Sequence, residues 1–446
     1  MKNLLLICFI SLILVSACTK ITAEQTSEIP GTEISKWNKN LTDVIVEDLF
    51  TPPVAGRIYA YCNIAAYEAL VPSDPQYRSL SGQLIGLSEM PLPGNDKIDH
   101  NISSFVAFNT VANKMIYSQH RIMDYQKNWL DSISKTGIKD KVYRSSIEYG
   151  KEVGNAVLAW ASRDNFYETR KMTRYSLSDT AGAWKPTPLD FMPAVEPYWG
   201  TVRAFSIDDL NTIKVAEPIA YSTDPASDFR KQIMEVYDVS KNLDDEKKEI
   251  ASYWDDNPNV STYSGHLMYF AQKMTPGGHW IAITSLVVRD KHLSLIEAAE
   301  TFSLVSIAIS DAFKCCWKEK YRCNTIRPIT VIQEQIDPEW ESYLQTPPFP
   351  EYPSGHSSVS AAAAEILAMK FGNDFAFTDS SEVEYGLPVR SFETFREAAN
   401  EAKESRLYGG IHIRYANDQG AELGKKVAKV IIDRIKTTKS KTNEPA

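Results

Sequence analysis

The chain has 446 residues, 43% of them hydrophobic and 24% charged, and carries a formal net charge of -9. That length can bury one large core or two smaller ones. The acidic balance excludes nucleic acid as the main partner, because binding a phosphate backbone needs a basic face.

The first residues read as an export signal. Lys2 opens a short basic region, Leu4 to Val15 is an apolar run, and Val15-Ser16-Ala17-Cys18 ends it. The run is too short to span a bilayer, so 1–17 is a signal peptide rather than a membrane helix. Valine, two small residues and cysteine resemble the lipobox of bacterial lipoproteins. That makes Cys18 the expected lipid anchor and places the chain in the cell envelope, periplasmic or attached to the outer membrane. A plain signal peptide with an incidental cysteine is the other reading. Residues 18–33 are polar and without periodicity, a tether.

Helical periodicity then dominates, and no run of alternating strand residues appears, so the predicted class is all-α, built from packed helical bundles. Val54 to Leu70 is a buried helix opened by Pro52-Pro53. Ile102 to Trp129 carries Phe105, Phe108, Val111, Met115 and Ile116 at mixed three and four spacings, and Asp140 to Ser162 repeats the pattern. The stretch 181–205 interleaves Pro186, Pro188, Pro193 and Pro197 with Trp184, Phe191, Tyr198 and Trp199 and cannot be a helix. Two readings stand: a long loop covering a pocket, or a surface wrap with aromatics tucked into the core. Helices resume at Asp224 to Ser240 and Asp244 to Trp254, and Thr275 to Trp280 is a turn that starts another.

Leu293 to Lys320 is the longest apolar-periodic helix. Gly355 to Met369 and Phe392 to Leu407 follow, the latter stopped by Gly409-Gly410, and Leu423 to Ile435 is a final amphipathic helix. Residues 34–436 form one domain with no visible repeat or linker, and 437–446 is a polar tail. Cys62, Cys315, Cys316 and Cys323 lack zinc-site spacing and read as core or pocket-wall thiols, with one disulfide open to an exported chain.

The chemistry concentrates in three C-terminal segments: Lys320 with Arg327-Pro328, Pro353-Ser354-Gly355-His356, and Ser405-Arg406 with His412. They supply three cations, a hydroxyl, a glycine amide and two imidazoles. Arginine forks match oxyanions bidentately, lysine adds a point charge, and amides at a helix start complete a cradle. The guest is a small tetrahedral or trigonal-bipyramidal oxyanion. His356, in the first turn of its helix, reads as an acid-base group beside the anion, or more plainly as a histidine at a capped helix start. Arg406 and His412 flank the glycine turn and converge, with His412 the candidate for a direct bond to the guest. Trp317 shares a helix face with Lys320. Asp311, nine residues before Lys320, lies on roughly the opposite side and is expected to pair with Lys314 or Lys318. His266 repeats Ser-Gly-His without the cationic segment and reads as a decoy in a turn before a helix.

These motifs resemble the vanadium-dependent haloperoxidases, bacterial branch, and their relatives the type 2 phosphatidic acid phosphatases and bacterial acid phosphatases. The resemblance is specific from Trp317 to His412, within a motif-bearing core of about 290–436, and looser from about Val54 to Ile435. It implies vanadate as cofactor, with Lys320, Arg327, Ser354, Gly355 and Arg406 on its oxygens, His412 on vanadium and His356 handling protons. It implies a hydrogen peroxide-driven oxidation of a halide, iodide or bromide, with Trp317 and Phe349 as pocket walls. The alternative is a phosphatase acting on phosphate esters through a phosphohistidine. A surface oxyanion-binding lipoprotein is a third reading, which two histidines facing one anion disfavour. The family often places aspartate four residues after the final histidine. Here that residue is Ala416, so Asp418 or Glu401 is the expected partner of His412.

Overall fold

The computed structural model describes residues 29–439 except 259 and 265. The segment 1–17 read as a signal peptide, Cys18 and most of the stretch read as a tether lie outside the described residues. The described helices are, in order, α1 (Thr32–Glu47), α2 (Pro52–Leu70), α3 (His100–Met115), α4 (Gln119–Ser134), α5 (Asp140–Ala161) and the single turn α6 (Phe166–Thr169). Then come α7 (Asp228–Lys241), α8 (Asp245–Tyr253), α9 (Pro276–Asp290), α10 (Leu295–Cys323), α11 (Pro328–Gln335), α12 (Gly355–Phe371), α13 (Phe395–Tyr408) and α14 (Arg414–Arg434). Two short antiparallel hairpins interrupt them: β1 (Ser261–Ser264) with β2 (Leu267–Phe270), and β3 (Phe377–Asp379) with β4 (Arg390–Phe392). The class is all-α, as expected, although both hairpins escaped the sequence reading; strands of three or four residues carry too few alternations to register.

The long helix α10 is the axis of the molecule. A Ser294–Glu297 capping box opens it and Asn324, in the left-handed region at φ 48°, closes it. Nearly its whole surface is buried, because α2 packs on one side and α12 on another. The arrangement makes one continuous apolar core from Ile34 to Ile435, in which a fully buried Ile309 or Phe313 contributes about 1.5–3 kcal/mol. A second apolar cluster joins Phe229, Ile233 and Val236 of α7 to Ile329 and Ile332 of α11 and to Trp340 and Ile413. No helix among the described residues is long and apolar enough to cross a membrane.

Helix α14 lies directly against α12. A Cβ added at Gly420 would stand 2.5 Å from the Ser354 carbonyl oxygen, and one at Gly424 2.1 Å from that of Ser358. Only glycine allows this approach, which seats the start of α12 on the C-terminal helix.

Several boundaries differ from the sequence reading for identifiable reasons. The tether ends early, since Thr32 already opens α1, whose Ile34, Trp37, Leu41 and Val44 are buried. The stretch Ile102 to Trp129 is two helices. Asp48 captures the Tyr117 and Ser118 amides and the Ser118 hydroxyl, which breaks the chain between α3 and α4. Helix α7 starts at Asp228, where Ser227 caps the Arg230 amide, rather than at Asp224. The tail is held through Lys439. The Thr437 carbonyl accepts from the Arg78 amide and the Tyr67 hydroxyl, the Thr437 hydroxyl meets Glu300, and the Lys439 amide donates to Gln76. Cys62, Cys315, Cys316 and Cys323 are free thiols, the first three buried.

Candidate active site

The nine residues read as cradle and pocket wall converge: Trp317, Lys320, Arg327, Phe349, Ser354, Gly355, His356, Arg406 and His412. Trp317 and Lys320 occupy the end of α10, both buried. The left-handed turn at Asn324 reverses the chain so that Arg327 caps α11, with Pro328 at its first position. Ser354 caps α12 by accepting from the Ser357 amide and the Ser357 hydroxyl at 2.9 Å, which leaves its own O–H free to donate. Arg406 sits in the last turn of α13, and Gly410 at φ 76° turns the chain back so that His412 faces the same point. His412 is buried, and His356 is 14% exposed at its side chain.

Backbone carbonyls hold the cations in place. Lys320 Nζ donates to the carbonyls of Pro350 at 2.8 Å and Glu351 at 3.0 Å. Arg327 donates to Phe349 and Ile411, and its Nη1 lies 3.2 Å from His412 Nε2. Arg406 donates to Ser405 Oγ, to the Asp255 carbonyl and to the Trp254 carbonyl, and its Nη1 lies 3.4 Å from His356 Nε2. The Phe349 ring covers the group, 5.1 Å from both Lys320 Nζ and the Arg327 guanidinium, and packs 4.8 Å from Trp317.

Electrostatics follow from this crowding. Burial pushes Lys320 down to about 7, and Arg327 and Arg406 each to about 10. Burial, then the Arg406 charge, hold His356 well below its ordinary value; burial, Arg327 and Lys320 do the same to His412. Buried cations side by side with neutral imidazoles are complementary to an anion.

Three observations test the fit to an oxyanion of the vanadate class. Arg327 Nη2 is buried without a hydrogen-bond partner. A Cβ on Gly355 would come within 3.2 Å of the Trp317 ring and 3.9 Å of Lys320 Cε, so a glycine keeps the space between that amide and the lysine clear. His412 Nδ1 bonds Glu351 Oε1 at 2.8 Å, which places the Nδ1 proton there and the Nε2 lone pair toward the cations. The donor set fits.

Glu351 replaces the expected partner of His412. Asp418 pairs with Lys403, and Glu401 with Arg390 and the Trp254 indole. Glu351 also accepts from the Ile413 amide at 3.1 Å, while burial raises it to about 7 against the pull of Arg327 and Lys320. The sequence signal was a lone carboxylate inside a proline run, between Pro350 and Pro353. Asp311 is likewise corrected: it accepts from the Phe205 and Ser206 amides and the Ser206 hydroxyl, while Lys314 and Lys318 bond elsewhere. Asp256 and Asn257 were missed. They line a narrow cavity of about 20 Å³ together with Trp317, Phe349, His356 and His412. His266 is exposed in the β1–β2 turn, apart from the site and not before a helix.

The 181–205 stretch buries Trp184 and Trp199 and buttresses the site from behind. The Trp317 indole and the Tyr321 hydroxyl donate to the Val195 carbonyl, and the Trp184 amide donates to the Asn324 carbonyl in the turn before Arg327.

Comparison with solved structures decides the family. The chain superposes on a bacterial vanadium-dependent iodoperoxidase with a TM-score of 0.88 and 37% sequence identity, covering 93% of this chain and 98% of that one. The chain belongs to the vanadium-dependent haloperoxidases. A family model described as the VCPO second helical-bundle domain matches residues 333–440. Holo-type and apo-type bacterial vanadium-dependent chloroperoxidases share the haloperoxidase fold at TM-scores of 0.69 and 0.65, each with 17% identity; they cover 90% and 86% of this chain and 96% and 94% of their own. No curated protein sequence matches. As a haloperoxidase the chain is an enzyme that uses hydrogen peroxide to oxidise a halide and takes vanadate as cofactor; the phosphatase alternative gives way.

Proposed function

We propose that this haloperoxidase acts on iodide or bromide, with iodide the better substrate, and that the nine convergent residues are its working site. The 37% identity to an iodoperoxidase over nearly the whole of both chains carries the halide reading. Lys320, Arg327, Arg406, the Ser354 hydroxyl and the Gly355 amide are the groups that would hold the oxygens of vanadate, and His412 Nε2 would hold vanadium. Bound vanadate supplies a Lewis acid that makes hydrogen peroxide electrophilic toward halide.

The chain's own groups do the rest. Glu351 keeps a proton on His412 Nδ1 and so keeps Nε2 a lone-pair donor. His356, held neutral by burial and by Arg406, exchanges a proton at Nε2 with the reacting oxygen. Trp317 and Phe349 exclude bulk water, which strengthens each cation's effect on a bound anion.

The test is purified protein stripped with chelator in phosphate buffer, since phosphate should compete for the same cradle, then reloaded with orthovanadate. Reloading should restore iodide oxidation. Vanadate-loaded protein that oxidises neither iodide nor bromide from acid to neutral pH, while the apoprotein turns over phosphate esters quickly, would overturn the assignment.

Cys18 is proposed as a lipidated N-terminus, on the strength of Val15-Ser16-Ala17-Cys18 after a short apolar run. Wild type and Cys18→Ala are compared by fractionation and mass in a Gram-negative host. A soluble, unlipidated wild type refutes it.

A further inference from the structure

Behind His356 lies a buried chain of acid, imidazole, acid and hydroxyl that the chemistry above does not use. Asp256, on the wall of the active cavity, has Oδ2 4.0 Å from His356 Nε2. Its two carboxylate oxygens lie 3.1 and 3.2 Å from His279 Nδ1. His279 Nε2 lies 2.9 Å from Asp379 Oδ2. Asp379 Oδ1 accepts from the Ser381 hydroxyl at 2.7 Å. Ser381 lines a different feature, an open groove of about 370 Å³ between α1 and α9 that Lys39 and Glu384 also border. The chain therefore runs from the active cavity to a second face of the molecule.

Its surroundings are dry. His279, Asp256 and Asp379 are buried, the Trp254 ring stacks on His279 at 4.4 Å, and Tyr253 sits 5.5 Å away. A purely structural ion cluster here would be an expensive way to fill a core, since apolar side chains of the same volume usually do as well or better. Glu382 adds a third buried carboxylate, whose Oε1 lies 3.7 Å from His279 Nδ1 and is without a hydrogen-bond partner. Burial opposes charge on His279, but Asp256 and Asp379 outweigh it and raise it well above its ordinary value; burial pushes Glu382 up to about 8. Imidazole is the side chain that accepts a proton at one nitrogen and releases another from the opposite one.

We propose that Ser381, Asp379, His279 and Asp256 form a proton relay that feeds His356 from the outer groove. The inference rests on the haloperoxidase reading, because that reaction consumes a proton: halide, hydrogen peroxide and one proton give hypohalous acid and water. The peroxide O–O bond breaks, the halide supplies the electron pair for the new halogen–oxygen bond, and the departing oxygen leaves as water with the delivered proton. His279, protonated on both nitrogens between the two carboxylates, gives its Nδ1 proton to Asp256; a half-turn of the ring then presents the bare nitrogen to Asp379, which passes on a proton taken through Ser381 from groove water. The 4.0 Å step to His356 is crossed by one bridging water or a small carboxylate rotation. The narrow front cavity is then left to peroxide and halide. His279 touches no substrate in this scheme; it acts through Asp256 and His356.

The test uses Asp379→Asn, which keeps shape but cannot pass a proton, and Ser381→Val, which blocks the outer end far from the cavity. Each should keep the vanadium content of wild type after desalting. Each should lower kcat for iodide at least tenfold with KM unchanged. Activity should rise with the concentration of a small weak acid such as formic acid, to which wild type is indifferent; a merely structural role would not create that dependence. In the vanadium-free protein, exchange of the His279 ring N–H with solvent, followed by nitrogen-15 NMR, should slow at least tenfold in Ser381→Val. Unchanged kcat in both variants, or unchanged ring exchange, overturns the relay, as does a stoichiometric divalent ion bound among Asp256, His279 and Glu382. Inactive wild-type enzyme counts against the haloperoxidase reading instead, and the NMR measurement still decides whether protons reach His279 from the groove.

Discussion

Glu351 holds the Nδ1 edge of His412 at 2.8 Å although it lies 61 residues earlier in the chain. The carboxylate fixes both ring orientation and tautomer, and so, on the proposed assignment, which nitrogen would be offered to vanadium. Glu351→Gln should lower vanadate affinity by about 10–100-fold, the usual effect of losing such an outer partner. Asp418→Asn should leave affinity unchanged, because Asp418 is engaged with Lys403. Vanadate titration of the stripped proteins, read by retained vanadium, compares the two.

The two site histidines should separate functionally. His412→Ala should lose vanadium on desalting, since its Nε2 is the proposed direct bond. His356→Ala should retain vanadium yet oxidise iodide poorly, because Arg406, its neighbour at 3.4 Å, remains to hold the anion. Elemental analysis beside kcat measurement settles it, and equal vanadium loss in both variants would contradict the division of labour.

Lys320 should take up a proton when the oxyanion binds. Burial holds it at about 7, so at pH 8 it is mostly neutral; an anion against its Nζ raises that value and charges it. Calorimetric titration with vanadate at pH 8, in buffers of different ionisation heat, counts the protons absorbed. Wild type should absorb up to about one more than Lys320→Arg, whose guanidinium is charged throughout.

A pH effect on stability should trace to Glu68, buried in α2 and accepting from the Ser79 hydroxyl and the Leu80 amide. Burial raises its carboxyl from 4.5 to about 7. The folded state therefore binds this proton more tightly than the unfolded chain. The resulting stabilisation is complete below pH 4.5 and is lost as pH rises to about 7. Glu68→Gln keeps the neutral form at every pH. It should melt higher than wild type at pH 8, by up to about 3 kcal/mol in stability, with the gap closing toward pH 5. Paired thermal melts at the two pH values check it.

The cradle was legible because its groups sit in short segments whose local chemistry is distinctive: a lysine and an arginine at a helix end, Ser-Gly-His at a helix start, a glycine pair between Arg406 and His412. The helices were legible from apolar spacing. Glu351 was not, because which carboxylate reaches a histidine depends on how Pro350 and Pro353 aim the chain, and sequence distance says nothing of that. Asp256 comes from the loop before α9 and His279 from the first turn of α9, whose place beside α12 follows from packing that no local pattern encodes. The break between α3 and α4 was hidden for the same reason, since Asp48, some seventy residues upstream, makes it.

The clasp at Thr437 has a consequence for how the molecule is made. Its carbonyl ties to Tyr67 on α2 and to Arg78, and its hydroxyl to Glu300 on α10, so Thr437 fastens the stretch after α14 to both helices. A growing polypeptide cannot complete these bonds until Thr437 has left the ribosome. Up to that moment the Tyr67 hydroxyl has its bond to the Arg78 carbonyl and Glu300 its pair with Lys370, while the contacts to Thr437, which follows 370 and 137 residues later, are still unmade. Premature stop codons anywhere before residue 437 should therefore yield chains handled by the cell as unfinished rather than as slightly shortened enzyme.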